Sequence, residues 1–188
     1  MQTLQGRTAA LVQEIQRLPY VWPAPPDADA ARRSRAGTCA SKHALLAEEL
    51  DALGVTSLPL LMAGPLVPRP CADAPVLREG AALLEVHECL TLLTPWAGPL
   101  RVDITWDPPL AAHGLPATLG WNGSSDMVTA VEAIGPGWSV PRCNLRDAKE
   151  AMRARLYAPG EREVRDRILA ALAAQFAAWR SERRCAPA

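Results

Sequence analysis

Residues 39 to 54, CASKHALLAEELDALG, constrain the fold more than any other stretch of the chain. Cys39, His43, Leu46, Leu50 and Leu53 recur at steps of four, three, four and three, so they line one stripe of an α-helix. The run holds good helix formers and no proline, and it stops at Gly54, which suits a left-handed C-cap. A helix of this kind buries its stripe against another element. The stripe begins with a thiol, which sits at the helix mouth on the buried side.

The covering surface is expected from strands. SLPLLMA (57–63) reads as a short strand, and ALLEVHECLTLL (82–93) and PLRVDITWD (99–107) as two more, with TPWAG as the turn between them. An amphipathic first helix spans 3–18 and stops at Pro19, and LPYVWPAPPDADA is a Pro-rich connection. Residues 27–36, charged and Ala-rich, read as a flexible loop leading to the cysteine. Several prolines mark 64–80 as loop. Beyond Pro108 the Gly- and Trp-containing stretch reads as loops with one short strand. Asn144 is the expected N-cap of NLRDAKEAMRARLY, with Asp147 reaching back from the first turn. A final helix covers roughly 160–182. The expectation is one α+β domain over residues 1–188, with a motif core at about 37–108 and C-terminal helices at about 144–182.

Bulk properties exclude some classes. Lys plus Arg number 20 and Asp plus Glu number 20, so no net field attracts nucleic acid or an anionic membrane. Arg180, Arg183 and Arg184 read as a solvated helix end. No stretch reaches the roughly 20 apolar residues of a spanning helix, and the N-terminus lacks the apolar core of a secretory signal. Cysteines 39, 71, 89, 143 and 185 are scattered, odd in number and free of CxxC, which fits neither a disulfide framework nor a zinc ribbon. A reducing cytoplasm is the expected compartment. Cys39, His87 and Cys89 can in principle hold a metal, but a closed zinc site wants four ligands at paired spacings. No metal or cofactor is expected.

The chemistry starts from Cys39. Unpaired N–H groups and the helix dipole favour a thiolate at a helix N-terminus, and the same N–H groups can bind an oxyanion. His43, one turn along, is a neighbour of the sulfur but has no evident orienting carboxylate, so it reads as a core or supporting histidine. His87 lies mid-strand. If the hairpin turn centres on Pro95, facing residue numbers sum to 190 and His87 faces Asp103; a later centre moves the partner toward Thr105 or Trp106. Arg101, Asp103, Thr105 and Asp107 share a polar face by alternation, and Asp107 is a second candidate carboxylate. His113 reads as a loop residue. Trp96, Trp106, Trp121 and Trp138 are unusual in a chain with one Phe; some can wall a substrate cleft, and most are expected in packing.

GTCASKHALL, then EVHECL, then VDITWDP together resemble the transglutaminase-like branch of the papain-fold cysteine enzymes. The resemblance covers about residues 37–108 and corresponds to a small, single-domain member of bacterial type. It implies a nucleophile helix packed on a mainly antiparallel sheet, with additional N- and C-terminal helices. It implies Cys39 as nucleophile, His87 as base and acid, and Asp103 as the carboxylate that orients the imidazole. Tyr20 and Trp22 are the candidate oxyanion or cleft residues. Glu88 and Cys89 follow the histidine where the family often has an aromatic residue, and the Arg-Gly-Gly element of arylamine acetyltransferases is absent. The implied activity is thiol-dependent acyl transfer on a peptide, protein or small amide, ending in hydrolysis, deamidation or transamidation. The alternatives are a non-catalytic binding relic of the same fold and a metal-binding domain.

Overall fold

A computed structural model of the protein describes residues 2–71, 78 and 82–184. Among these it is an α+β structure of six α-helices and one four-stranded antiparallel sheet. Helix α1 (Leu4–Gln16) starts on a Thr3 side-chain cap. The charged stretch expected as a loop is instead a short helix, α2 (Ala28–Ser34). Asp27 accepts the Ala30 N–H as its N-cap, and Ala28 and Ala31 are buried against α3. Two small apolar residues and one good cap suffice where a longer apolar stripe is missing.

Helix α3 (Cys39–Ala52) carries the thiol at its first position, and its start is secured in both directions. The Thr38 side chain accepts the Ser41 N–H at 3.3 Å, and Ser41 Oγ accepts the Thr38 N–H at 2.9 Å, a reciprocal capping box. At the other end Gly54 adopts φ +78°, its N–H reaches Asp51 O and the Val55 N–H reaches Leu50 O. These two bonds form a Schellman motif around the left-handed cap that Gly54 was expected to provide. Gly37, just before the cap, lies against Ser41: a Cβ there would sit 2.3 Å from Ser41 Oγ.

Strand β1 (Thr56–Pro65) pairs with β2 (Leu84–Thr94), and β2 pairs with β3 (Gly98–Val102). The short edge strand β4 (Trp138–Ser139) closes the order β3-β2-β1-β4. The hairpin register differs from the one assumed from sequence. Leu90 faces Val102 and Thr94 faces Gly98, so the loop centres on Trp96 rather than Pro95. Gly98 at φ +75° ends this three-residue loop, the geometry in which glycine is favoured. β3 stops at Val102, five residues earlier than expected, so Asp103, Thr105 and Asp107 leave the sheet instead of sharing a strand face.

A one-turn helix α4 (Pro108–Ala111) follows, capped by Asp107. Asn144 is the N-cap of helix α5 (Leu145–Leu156), as expected, but its side chain makes no capping bond. Helix α6 (Glu161–Arg184) ends the described chain. Arg180 near its end is not a solvated terminus: its guanidinium donates to Asp107 and to Tyr20 O. Part of the loop expected over 64–80, and Cys185, fall outside the described residues.

Two apolar clusters support the site. Leu46 and Leu50 of α3 join Val12 and Ile15 of α1, Leu90 and Leu92 of β2, and Ile104. Phe176, Leu172 and Ile168 of α6 join Tyr20, Trp106 and Leu110. No helix among the described residues is long and apolar enough to cross a membrane.

Gly37→Ala is expected to displace Ser41 and disrupt the capping box, costing about 1–3 kcal/mol through overpacking and cap loss. Urea unfolding checks this, and a midpoint equal to that of the parent chain would refute it.

Candidate active site

The thiol, one imidazole and one carboxylate arrive from three separate elements. Cys39 is supplied by the first turn of α3 and is partly buried and free. His87 comes from the middle of β2 and is almost fully buried. Asp103 is the first residue after β3. His87 Nε2–H donates to Asp103 Oδ2 at 2.6 Å. The partner expected from sequence is therefore the partner found, but by another route. In the observed register the position opposite His87 would be residue 105; because the chain leaves the sheet after Val102, Asp103 reaches the ring instead.

Asp103 is held on all sides. Oδ2 also accepts the Ala130 N–H at 2.7 Å, and Oδ1 accepts the Thr105 hydroxyl at 2.7 Å and the Thr105 N–H at 3.1 Å. Burial opposes its charge, yet His87 first, and the Ala130 N–H after it, keep the carboxyl well below the usual carboxylate range. Burial likewise disfavours a charged His87, but Asp103 and then Cys39 outweigh it and push the imidazole well above its ordinary value.

The ring nitrogen left over is Nδ1, and hydrogen bonding between His87 and the Cys39 side chain acts on the ionisation of both groups. Burial alone would raise the Cys39 thiol; the Lys149 ammonium, then hydrogen bonding to and the charge of His87, bring it below its ordinary value against a smaller opposing effect of Glu88. Both shifts, the thiol lowered and the imidazole raised, favour a thiolate beside an imidazolium. The N–H groups of Cys39 and Ala40, in the first turn, have no intrahelical acceptor.

His43 is close by, its ring centroid 6.5 Å from that of His87, but it is fixed differently. Its Nε2 accepts the Ile104 N–H at 3.0 Å, so Nδ1 carries the proton and donates to Cys39 O at 2.7 Å. Burial first, against a partial counter-pull from Asp103, takes its pKa down to about 4. It is a neutral brace that ties the Cys39 carbonyl to the segment after β3.

Tyr20 pairs through its backbone with Gly37, two residues before the thiol. Burial and then the negative charge of Cys39 push its phenol up, so it stays a proton donor. Its ring packs edge-on against Trp106 at 4.9 Å and Phe176 at 5.9 Å. Trp22 packs at the margin of the second cluster. Asp107 does not replace Asp103; it accepts the Tyr20 N–H at 2.7 Å and pairs with Arg180. His113 stacks on Trp179 at 4.5 Å. Cys89 is buried, which pushes its thiol up. Among the described residues no group of three His, Cys, Asp or Glu is placed to hold a metal. Trp106 and Trp121 are buried, whereas Trp138 stands exposed on β4.

Two lysines escaped the reading of the sequence. Lys42 is fully buried and donates to Gln16 O at 3.1 Å and Thr105 O at 3.0 Å. Helical spacing contained the signal, since Lys42 stands three residues after Cys39 on the buried side. Lys149 lies in a charged stretch that carries no such signal. No protein-family model, curated protein or solved structure matches the chain.

Iodoacetamide at pH 6.5 is expected to label Cys39 ahead of the exposed Cys143 by at least about tenfold, read by mass spectrometry of peptides. Equal rates would remove the activated thiol. Lys42 has a second consequence. Burial takes its pKa down to about 7, against about 10.4 in an unfolded chain. Between these values the unfolded chain holds the proton and the folded chain does not, so this lysine makes stability rise with pH across that window. Lys42→Met removes the slope. Its stability relative to the parent is expected to be greatest near about pH 7 and to decline toward about pH 10, measured by urea unfolding.

Proposed function

We propose that the protein is a thiol-dependent acyl-transfer enzyme of transglutaminase-like type, acting on the carbonyl of an amide or ester. The observation that carries this reading is the Asp103–His87 bond of 2.6 Å, together with a helix-terminal thiol whose ionisation is favoured. In the first half-reaction the Cys39 thiolate adds to the carbonyl carbon. The negative charge moves from sulfur to the carbonyl oxygen, toward the Cys39 N–H and the Tyr20 hydroxyl as candidate donors. Collapse of the adduct breaks the bond to the leaving group, which takes the His87 proton as it departs. Neutral His87 then takes a proton from water or an amine as that acceptor attacks the thioester, and the thiolate leaves with the proton back on the ring. Asp103 keeps Nε2 protonated throughout, so Nδ1 is the nitrogen that exchanges protons. Water as acceptor gives hydrolysis or deamidation, and an amine gives transamidation.

A second reading, binding of a peptide or partner without turnover, draws on a specific feature. Surface cavities of about 220 and 440 Å³ are lined by other residues and include none of Cys39, His87 and Asp103.

The two histidines separate these readings. With an activated ester as acyl donor, Cys39→Ala is expected to abolish the burst of product. His87→Ala should lower kcat by about 10² to 10⁴, the range for a lost acid–base group. His43→Ala should cost mainly stability, about 1–3 kcal/mol for the two hydrogen bonds it leaves unmet. A folded parent protein that forms no acyl-enzyme by mass spectrometry favours binding alone. Loss of turnover on changing His43 but not His87 would overturn the assignment of the base.

A further inference from the structure

Helix α5 holds the feature that the triad leaves unexplained. Among its described residues Lys149 is the only buried one, at 8 % exposure, on a helix that is otherwise strongly polar. Helices normally bury their apolar stripe and leave lysine in water, so a helix that buries its lysine instead points to a specific demand for that charge. Lys149 Nζ donates to Glu88 Oε2 at 3.1 Å, and Glu88 is itself 3 % exposed and directly follows His87 in β2. A buried pair of this kind roughly breaks even, because desolvation consumes most of the attraction. Stability alone does not account for it.

The charged and titratable groups around Cys39 supply the account. Lys149 approaches from α5, His87 and Glu88 from β2, and Tyr20 from the segment after α1. Lys42 and His43 come from α3 itself, with Asp103 behind His87. Asp103 is already matched by His87, and Lys42 is spent on two carbonyls. Lys149 is paired with Glu88, and its charge also acts on the Cys39 thiol.

We propose that Lys149 is a positioning residue for the nucleophile, a second cation that shares the negative charge of the Cys39 sulfur with His87 while Glu88 anchors it in place. The proposal rests on the acyl-transfer reading and deepens it. With two cations on one sulfur, His87 can give its proton to the leaving group without being the sole counter-charge of the thiolate that must re-form. The ionisation of the two groups agrees: burial opposes charge on each, Lys149 is the strongest charge favouring the thiolate, and Cys39 is the strongest charge favouring the ammonium. The opposing influence of Glu88 on the thiol predicts a sign that a merely structural ion pair does not.

The test is the pH profile of Cys39 alkylation by iodoacetamide, followed peptide by peptide in the full-length protein, with circular dichroism to show folding. Lys149→Met is expected to move the midpoint toward the ordinary thiol value near about 8.5 and to slow labelling at pH 6.5 about tenfold or more. Lys149→Arg should retain most of the parent profile, since the charge survives. Glu88→Gln keeps a side-chain oxygen to hold the ammonium and removes only the opposing charge, so it should move the midpoint the other way, below that of the parent. A folded Lys149→Met protein with the parent midpoint overturns the proposal, as does a Glu88→Gln midpoint displaced upward like that of Lys149→Met. If the parent Cys39 itself titrates near about 8.5, the acyl-transfer reading falls and this inference with it. A low midpoint in both parent and Lys149→Met sinks Lys149 alone.

Discussion

Asp103 accepts four hydrogen bonds from three places in the chain: the His87 ring, the Thr105 hydroxyl and amide, and the Ala130 amide. A carboxylate buried without such partners would cost several kcal/mol, so its environment had to be completed for the fold to tolerate it. Completion has a geometric result. The strand bearing the histidine, the segment leaving β3 and the later stretch at residue 130 are all registered on one pair of oxygens. The imidazole is thereby held in one orientation, with one nitrogen committed and the other free.

The same constraint explains why two histidines so close together differ. His43 has both nitrogens consumed by main-chain groups and no bonded carboxylate, so burial keeps it neutral. His87 has a bonded carboxylate and a nearby thiol, so burial is overcome. Neutral His43 in turn joins Cys39 O to the Ile104 N–H, which ties the mouth of α3 to the residue after Asp103. The position of the sulfur and that of the carboxylate are therefore linked through a residue that does not change charge.

Buried ionisable groups recur around this centre. Lys42 joins the end of α1 to Thr105, Arg180 joins α6 to Asp107 and Tyr20, and Glu85 binds Arg153 of α5 and Arg165 of α6. The C-terminal helices are tied to the sheet by these polar contacts as well as by the Phe176 cluster. Such contacts contribute less net stability than apolar area, but they are directional. They hold Tyr20 and Lys149 on the side of the molecule where the thiol lies.

Local chemistry was legible in the amino-acid sequence. The 4-3-4-3 stripe, the Gly54 cap and the three main strands follow from periodicity and turn residues, because each rests on contacts within a few positions; Cys39, His87 and Asp103 were singled out by the helix mouth, an assumed hairpin register and the family resemblance. Helix α2 was missed because its apolar content is two alanines, and the hairpin was placed one residue off because its loop centres on Trp96 rather than Pro95. Tertiary structure decided the rest. That Asp103 meets His87 depends on where β3 ends, that Lys149 is buried depends on where α5 lands, and that His43 is inert depends on the amide of Ile104. These are long-range facts, set by burial and by the need to satisfy every buried charge, and no short window of residues contains them.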